Sequence, residues 1–397
     1  MKHPHIAIAT GTRADWGLLS PLAAELRSRG AEPSVFVTHQ HLIPGMGDTV
    51  NEIIADGFTP AARIPAEGTA AEIMAQAAAG VAAALREVRP DALIILGDRC
   101  EMLGAASAAL LEGVPVVHIA GGTVSEGAFD DSVRHAISKM ATLHFPETPA
   151  CAERLLLMGE DPRHVRTAGA LGVENALKIT RMTRPELAAS LGWDPGERFM
   201  VVTLHAATLA EGDPLAIQEG MLDALAALPA DIRLILTYPN SDIDPVPLIA
   251  SLRRFEERME GRALVVPSLG RKRYLSAVAL SQGVVGNSSS GLVEVPSLGV
   301  PTLDIGIRQK GRECGPGVMH CGTSREEIEA GLRRILSAEA RAVAARRENP
   351  YHMPGTAARM ADEILQADFR PYPTKKFHRY EISISDSSPR REQGDPG

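Results

Sequence analysis

The chain has 397 residues, of which 45% are hydrophobic and 23% are charged, and its formal net charge is −8. This length exceeds one compact core and indicates two domains of ordinary size. The acidic balance disfavours nucleic acids and anionic membranes as partners, because either would need a basic patch, and we find none longer than residues 308–312.

The cellular compartment is predicted from apolar runs and cysteine spacing. The longest apolar runs are too short to span a membrane, and the amino terminus leads into a predicted strand rather than a signal peptide. The four cysteines are widely spaced and form no C-x-x-C pair, which is typical of a reducing compartment and of a protein without structural zinc. We therefore expect a cytoplasmic protein with no nucleic-acid or membrane partner.

The first part of the chain alternates predicted strands and helices. Apolar residues recur at helical spacing at Leu18, Leu22 and Leu26, and Gly30 is expected to cap the end of that helix. The strand at 92–98 is apolar on both faces, as central parallel strands are. The predicted strands are 5–9, 34–38, 92–98, 114–119 and 143–145, and the predicted helices are 18–26, 73–88, 101–112 and 130–142. This order predicts a doubly wound α/β half.

A second alternating series follows a pause at 168–172. Its predicted strands are 199–204, 233–237, 263–266, 283–285 and 301–305, and helices at 325–336 and 356–366 close the fold. We expect two Rossmann-like domains that face a cleft, at residues 1–170 and 171–355. We also expect a helix at 356–367 that crosses back to the first domain, and a disordered tail at 383–397, which is polar and contains Pro and Gly.

The stretch 286–312 carries the strongest signal for a ligand. Three serines and a glycine at 288–291 follow a predicted strand and precede a helix predicted to begin at Leu292, so free backbone N–H groups would face a phosphate. Glu294 is placed to bind a ribose diol, and the cations Arg308, Lys310 and Arg312 come to the same end. The alternative is a serine N-cap beside a solvated basic loop. The segment has neither a Walker A nor a G-x-G-x-x-G pattern.

Two candidates in the first half stand where strands end. Arg13 follows the first strand and can reach a phosphate, although it can equally cap a loop. Asp98 ends the most apolar strand, and a carboxylate there is costly unless it is paired or functional. The structural alternative is a contact of Asp98 with Arg99 or with the backbone.

The helix at 130–142 carries a dense set of titratable groups. If Asp130 begins this helix, Asp131, His135 and Lys139 lie on one face at steps of four, and Asp130 pairs with Arg134 on the neighbouring face. An acid, an imidazole and an amine in one stripe suit proton transfer, because each biases the protonation of the others. The alternatives are a plain N-cap for Asp130 and a surface salt-bridge ladder for the stripe.

In the second half, His205 ends the first strand and would face the cleft from the opposite side. A lone histidine is equally consistent with a structural role. The turn at 238–242, which contains Asn240, is a weaker candidate for contact with a sugar or a base.

Five motifs in this order resemble the hydrolysing UDP-N-acetylglucosamine 2-epimerase family, at 11–15, 97–99, 134–139, 286–291 and 308–312. The similarity covers roughly residues 6–365. It implies a glycosyltransferase-B-like fold, a UDP-sugar substrate, no metal or redox cofactor, and a homodimer or homotetramer. The chain also resembles, more distantly, the non-hydrolysing 2-epimerases.

The resemblance also implies a reaction and a set of site residues. The nucleoside diphosphate leaves C1 while a base removes the C2 proton; water then adds to the resulting 2-acetamidoglycal and releases a manno-configured sugar for sialic- or legionaminic-type nonulosonate synthesis. The family motifs assign the chemistry to Asp98, Asp130 and His205, with Asp131, Arg134 and His135 as second choices. They assign substrate binding to Arg13, Asn240, Ser288, Ser289, Ser290, Gly291, Glu294, Arg308, Gln309 and Arg312.

Several positions depart from the family pattern. Thr123 stands where an acidic residue is usual and Ala120 where relatives often carry Glu or His, although Glu126 lies near enough in sequence to compensate. The substrate is therefore left open among UDP-N-acetylglucosamine, UDP-2,4-diacetamido-2,4,6-trideoxyglucose and the GDP-linked form of the latter. The competing classes are a glycosyltransferase of the same fold and a catalytically impaired nucleotide-sugar binder.

Overall fold

Two six-stranded sheets, in which every pair of neighbouring strands is parallel, organise the chain in the computed structural model. The structure describes residues 3–43, 49–206, 212–240, 244–370 and 375–378. The tail predicted to be disordered, 383–397, lies outside these residues. Within the described ranges, no helix has the length and apolar character needed to cross a bilayer.

The first sheet contains β1 (Ile6–Thr10), β2 (Ser34–Thr38), β3 (Pro60–Ile64), β4 (Ala92–Leu96), β5 (Val116–Ile119) and β6 (Leu143–Phe145). Its spatial order is β3-β2-β1-β4-β5-β6, so the direction of winding reverses between β1 and β4. The surrounding helices are α1 (Arg13–Ser28), α2 (Val50–Ala55), α3 (Ala70–Val88), α4 (Cys100–Leu111), α5 (Asp130–Met140) and α6 (Pro149–Leu157). Ligands of open α/β sheets bind beside such a reversal, at the carboxyl ends of the strands.

The second sheet contains β7 (Arg198–Thr203), β8 (Ile232–Thr237), β9 (Ala263–Val266), β10 (Gly283–Gly286), β11 (Thr302–Ile305) and β12 (Val318–Cys321). Its order, β12-β11-β10-β7-β8-β9, reverses between β7 and β10. The helices that follow the first half are α7 (Leu171–Lys178), α8 (Arg184–Leu191), α9 (Pro214–Ala226), α10 (Val246–Arg258), α11 (Gly270–Leu280), α12 (Ser290–Val293), α13 (Val295–Leu298), α14 (Arg325–Ile335), α15 (Ala338–Ala344) and α16 (Thr356–Gln366).

The predicted fold class is confirmed, because both sheets are parallel, doubly wound and covered by helices. The central strands β1 and β4 are buried along their whole length, which is why their apolar runs predicted them. The helix predicted to begin at Leu292 instead begins at Ser290 and is interrupted at Glu294, where Pro296 enters the first turn of α13.

The last helix packs on the first sheet. Met360, Ala361 and Ile364 of α16 share one apolar cluster with Leu19 and Leu22 of α1. The chain thus passes from the first sheet to the second and returns.

The outgoing and returning segments are hydrogen-bonded to each other. The amide of Ala170 donates to the carbonyl of Tyr351 (3.0 Å), and the hydroxyl of Thr356 donates to the carbonyl of Ala168 (2.8 Å). The boundaries of the two domains and of the crossing helix stay predictions.

Candidate functional site

The carboxyl end of β4 presents Asp98 to a buried arginine of α5. Arg134 is 2% exposed and its Nη2 donates to the Asp98 carboxylate. Burial would raise the pKa of Asp98, but Arg134, with help from Arg312 and Arg99, outweighs it and holds this pKa below its usual value. The cation that pairs with Asp98 is therefore Arg134, while Arg99 donates to the buried Glu101 at 2.6 Å.

Arg134 also fixes the loop that follows β5. Its Nη1 donates to the carbonyl of Thr123 at 2.7 Å and to Asp131 Oδ1 at 3.2 Å, and its Nη2 donates to Ser125 Oγ at 2.9 Å. Burial lowers the pKa of Arg134, but Asp98 and then the nearby acids of α5 raise it above its usual value. This buried guanidinium is therefore a permanent cation that orders the loop.

The predicted stripe on α5 is formed only in part. Asp130 begins the helix as predicted, with Phe129 at the N-cap position, and it adds to the negative field on Arg134. Asp131 Oδ2 lies 3.4 Å from His135 Nε2, whereas Lys139 turns away to Glu160 at 2.7 Å. Burial lowers the pKa of His135, and Asp131 opposes that shift. The acid and the imidazole are therefore together, and the amine belongs to a separate ion cluster.

The loop after β5 touches the second half of the chain. Glu126 Oε2 lies 3.0 Å from Lys310 Nζ, and Arg312 Nη2 donates to Ser125 Oγ at 3.4 Å. A Cβ on Gly127 would stand 2.6 Å from the Ile307 carbonyl, so only glycine permits this approach. The contact places Arg312 beside the Asp98–Arg134 pair.

His205 lies at the carboxyl end of β7 and is held through its backbone and its ring. Its N–H donates to Asn287 Oδ1 at 2.7 Å, and Asn287 Nδ2 donates to the His205 carbonyl at 2.8 Å. The amide of Asn240 donates to Nδ1 at 3.0 Å, which leaves Nε2 as the protonated nitrogen. Burial, helped by Arg308, lowers the pKa of His205 to about 3. The imidazole is therefore neutral and offers one N–H.

Hydrogen bonds hold the serine segment at residues 288–290 in place. Ser289 occupies the N-cap position of α12, and Ser290 Oγ accepts from Tyr274 at 3.0 Å. Ser288 has its carbonyl bonded to the Gly291 amide at 3.0 Å, and the three serines are half-exposed. Because α12 spans only four residues, its dipole is weak.

Two further predicted residues, Gln309 and Arg308, donate hydrogen bonds to the backbone just after β10. Gln309 Nε2 donates to the Asn287 carbonyl at 2.9 Å, and Arg308 Nη1 donates to the same oxygen at 3.2 Å. A small pocket opens here, and Asn287, His205 and Arg308 line it together with Leu204, Ile217 and Ile305. It combines an apolar wall with a polar, cationic edge, as small-molecule sites commonly do.

Glu294 packs against α7, whereas Arg13 contacts the second half of the chain. A Cβ on Gly172 would stand 2.2 Å from Glu294 Oε1, so this carboxylate is pressed against the start of α7, and burial raises its pKa. Arg13 is 40% exposed and donates to the hydroxyl of Ser268, which belongs to the second half. Arg13 therefore bridges the two halves in this structure.

The sequence prediction missed three polar groups of this region: Tyr274, which donates to Ser290; Asn287, which holds His205; and Glu147, which follows β6. Asn287 lies inside the motif at 286–291, so its position after an apolar run could have indicated its role. Glu147 had none beyond its place at the end of a short strand.

Comparison with known proteins identifies relatives along most of the chain. The family described as UDP-N-acetylglucosamine 2-epimerase matches residues 24–365. A UDP-N,N'-diacetylbacillosamine 2-epimerase (hydrolyzing) from Legionella pneumophila is 34% identical over 340 residues, which cover 84% of this chain and 89% of that protein. A GDP/UDP-N,N'-diacetylbacillosamine 2-epimerase (hydrolyzing) from Campylobacter jejuni is 32% identical, covering 79% and 83% of the two chains.

A solved structure shows the same fold. The UDP-GlcNAc 2-epimerase from Neisseria meningitidis bound to UDP-GlcNAc superposes with a TM-score of 0.79 at 16% identity, covering 91% of this chain and 100% of that one.

Proposed function

The chain belongs to the UDP-N-acetylglucosamine 2-epimerase family, and on that premise we propose that it is a hydrolysing nucleotide-sugar 2-epimerase. The substrate is a nucleoside-diphosphate sugar with an acetamido group at C2. The products are the nucleoside diphosphate and the free manno-configured sugar. The observation that carries the proposal is the contact of the loop at 123–127 with residues 307–312, which sets the Asp98–Arg134 pair of one half beside Arg312 of the other.

Departure of the diphosphate is the first requirement, because the C2 hydrogen is only weakly acidic. Arg312 and Arg308 supply positive charge, and the Nε2–H of His205 is a fixed neutral donor beside them. Preorganised donors of this kind stabilise charge that develops in a transition state, and each is worth roughly 10²–10³ in rate.

Proton transfer is the second requirement. As the C1–O bond breaks, a carboxylate removes the C2 proton, and the C2–H electron pair forms the C1=C2 double bond of a 2-acetamidoglycal. Water then bonds to C1, C2 receives a proton on the opposite face, and the proton that water loses passes to solvent. Asp98 and Asp130 are the proposed acid/base carboxylates, and Asp131, Arg134 and His135 position them.

Among substrates we favour a UDP-linked 2,4-diacetamido-2,4,6-trideoxy sugar, because the two relatives described above, at 34% and 32% identity, are named for N,N'-diacetylbacillosamine substrates. UDP-N-acetylglucosamine and the GDP-linked diacetamido sugar are the alternatives. We further propose that the reaction serves nonulosonate synthesis in the cytoplasm, and that the protein acts as a homodimer or homotetramer.

The test is to incubate the purified protein with each of the three nucleotide sugars in deuterated water and to follow the products by proton NMR. We expect free manno-configured sugar that carries deuterium at C2, together with nucleoside diphosphate. A nucleotide-linked manno product would instead place the protein with the non-hydrolysing epimerases. UDP binding without turnover of any sugar would identify a binder, which the residues at Ala120 and Thr123 favour as the second candidate.

A further inference from the structure

The loop after β5 carries Thr123 at the position where the family pattern has an acidic residue. Thr123 is 2% exposed, and its hydroxyl lies 3.3 Å from the Ala120 carbonyl and 3.6 Å from Cys151 Sγ. A threonine hydroxyl neither gains nor loses a proton near neutral pH. Glu126, which the sequence suggested as a substitute, is paired with Lys310 and is half-exposed. Among the described residues 120–129, the loop itself therefore offers the site no acid other than the paired Glu126.

The neighbouring strand supplies one at an equivalent place. β6 pairs with β5 in register Ile119–Phe145, and the amide of Ala120 donates to the Phe145 carbonyl at 3.0 Å. Residues 146–148 therefore run beside residues 120–123. A Cβ on Gly122 would stand 2.2 Å from the Cys151 carbonyl, so the β5 loop lies directly against the first turn of α6. Glu147 leaves the sheet at the same edge as the position that Thr123 occupies.

Contacts of the residue that follows Glu147 connect this segment to the second half of the chain. The next residue, Thr148, accepts from the Cys151 amide at 3.2 Å and so caps α6, and its hydroxyl donates to Glu313 of the second half. Glu313 directly follows Arg312, the cation beside the Asp98–Arg134 pair. Glu147 is thus held where the two halves meet.

Its electrostatic setting differs from that of Asp98. Within the described ranges, the Glu147 carboxylate makes no hydrogen bond and no ion pair. Burial raises the pKa of Glu147, Arg312 opposes the shift, and Glu294 adds to it. Asp98, by contrast, is kept ionised by Arg134. A carboxyl group whose pKa is raised keeps its proton to higher pH than an ordinary glutamate and suits a general acid, whereas a salt-bridged carboxylate does not.

We propose that Glu147 is the proton donor of the second step, which leaves removal of the C2 proton in the first step to Asp98 and Asp130. The inference rests on the proposed function. The π electrons of the glycal C1=C2 bond take the proton from the Glu147 carboxyl group to form the new C2–H bond. Water bonds to C1 in the same step, and the proton that the water loses restores the carboxyl group through solvent.

The decisive variant is Glu147→Gln, which keeps the shape and removes the exchangeable acid. We expect kcat to fall at least about 100-fold with KM within about threefold of wild type, since general acid catalysis commonly contributes 10²–10⁴. Because elimination precedes the affected step, the 2-acetamidoglycal and nucleoside diphosphate should accumulate in the NMR assay. A merely structural role for Glu147 would not produce this intermediate.

Three further variants complete the design. Glu153→Gln, an exposed change on α6, the helix that follows Glu147, should match wild type. Thr123→Glu combined with Glu147→Gln should recover at least tenfold of the lost rate, since it returns a carboxyl group to the adjacent loop. Glu126→Gln should stay within about threefold of wild type. Thermal unfolding and UDP binding of each variant report whether it is folded.

The outcomes separate the two proposals. Wild-type turnover with a Glu147→Gln rate within threefold, a loss without glycal, or a 100-fold loss in Glu126→Gln would each overturn the role of Glu147 and leave the proposed function standing. Absence of wild-type turnover with all three nucleotide sugars would overturn the proposed function, and the inference with it.

Discussion

The two sides of the cleft hold their polar groups in opposite ways. On the first side, buried charges face one another: Arg134 pairs with Asp98 and Asp131, and Arg99 pairs with Glu101. On the second side, His205 is a neutral side chain bonded to backbone and amide groups. The first side is therefore held by ion pairs, and His205 on the second side is held by hydrogen bonds to backbone and amide groups.

This difference suits the two sides to different chemical roles. A field built from ion pairs sets which carboxyl groups keep a proton, so the first side is suited to proton transfer. Neutral donors with fixed directions stabilise an incoming anion without a counter-charge that must first be displaced. The second side is therefore suited to hold the diphosphate, and changes on the two sides should have different consequences.

The largest effect is expected on the charged side. Arg134→Met leaves Asp98 without its cation, and breaking a buried pair in this way costs about 3–5 kcal/mol. We expect that loss in the free energy of unfolding measured with urea. Arg163→Met, which breaks the exposed pair with Asp161, is the control and should cost less than about 1 kcal/mol.

The double variant Arg134→Met with Asp98→Asn tests the cause of this loss. It should be more stable than Arg134→Met alone, because no unpaired charge remains. Equal stability of the two would show that the guanidinium acts through its bonds to the loop rather than through Asp98.

The neutral side should lose rate rather than stability. His205→Phe preserves the ring volume and removes the Nε2–H donor, so we expect kcat to fall about 100-fold, measured as release of nucleoside diphosphate. Because the pKa of His205 is lowered to about 3, this group should add no limb to the wild-type pH profile between about pH 5 and 8. A threefold change or less would remove His205 from the proposed mechanism.

Both sides contain a neutral histidine, so the folded protein should lose stability in acid. His118 on the first side and His205 on the second are neutral, and burial lowers the pKa of each to about 3. The unfolded chain takes up these protons near pH 6.5 and the folded chain only near 3, so stability falls as pH decreases through that window.

At pH 5 the loss is about 2 kcal/mol per histidine, since one pH unit of differential titration corresponds to about 1.4 kcal/mol. Urea midpoints at pH 7 and pH 5 measure it. His118→Gln, whose amide can still donate to the Gly97 carbonyl in place of Nε2, should make the decline shallower. An unchanged slope would show that His118 does not contribute.

The smallest effect is expected where the two sides meet at the surface. Arg13 bridges to Ser268 but is 40% exposed, so Ser268→Ala should change KM by less than about twofold. If Arg13 leaves that serine to bind the diphosphate, Arg13→Ala should raise KM roughly tenfold. Equal effects in steady-state kinetics would mean that Arg13 only bridges the halves.

The sequence predicted the central strands of both sheets and missed one edge strand of each, β3 and β12. β1 and β4 are buried on both faces and therefore show continuous apolar runs. β3 alternates exposed and half-buried residues, and β12 exposes His320, so neither edge strand carries that signal. Edge strands form because a neighbour offers its backbone, and that neighbour is distant in sequence.

The same reasoning explains the site. Asp98 and His205 were identifiable because each ends an apolar strand. The partner of Asp98 was not, since Arg134 stands 36 residues further on and reaches it only after α5 packs beside β4. Glu147 was missed because its neighbour is the loop at 120–123, and that neighbourhood exists only once β6 pairs with β5.

The return of α16 to the first sheet also bears on how the protein is made. Met360, Ala361 and Ile364 complete the apolar cluster around α1, yet they are among the last described residues that a ribosome adds. The strands of the second sheet, the last of which ends at Cys321, are all synthesised before α16. The half that is synthesised first is therefore finished last, and until the C-terminal helix arrives, α1 exposes an apolar face that a nascent chain must shield from aggregation.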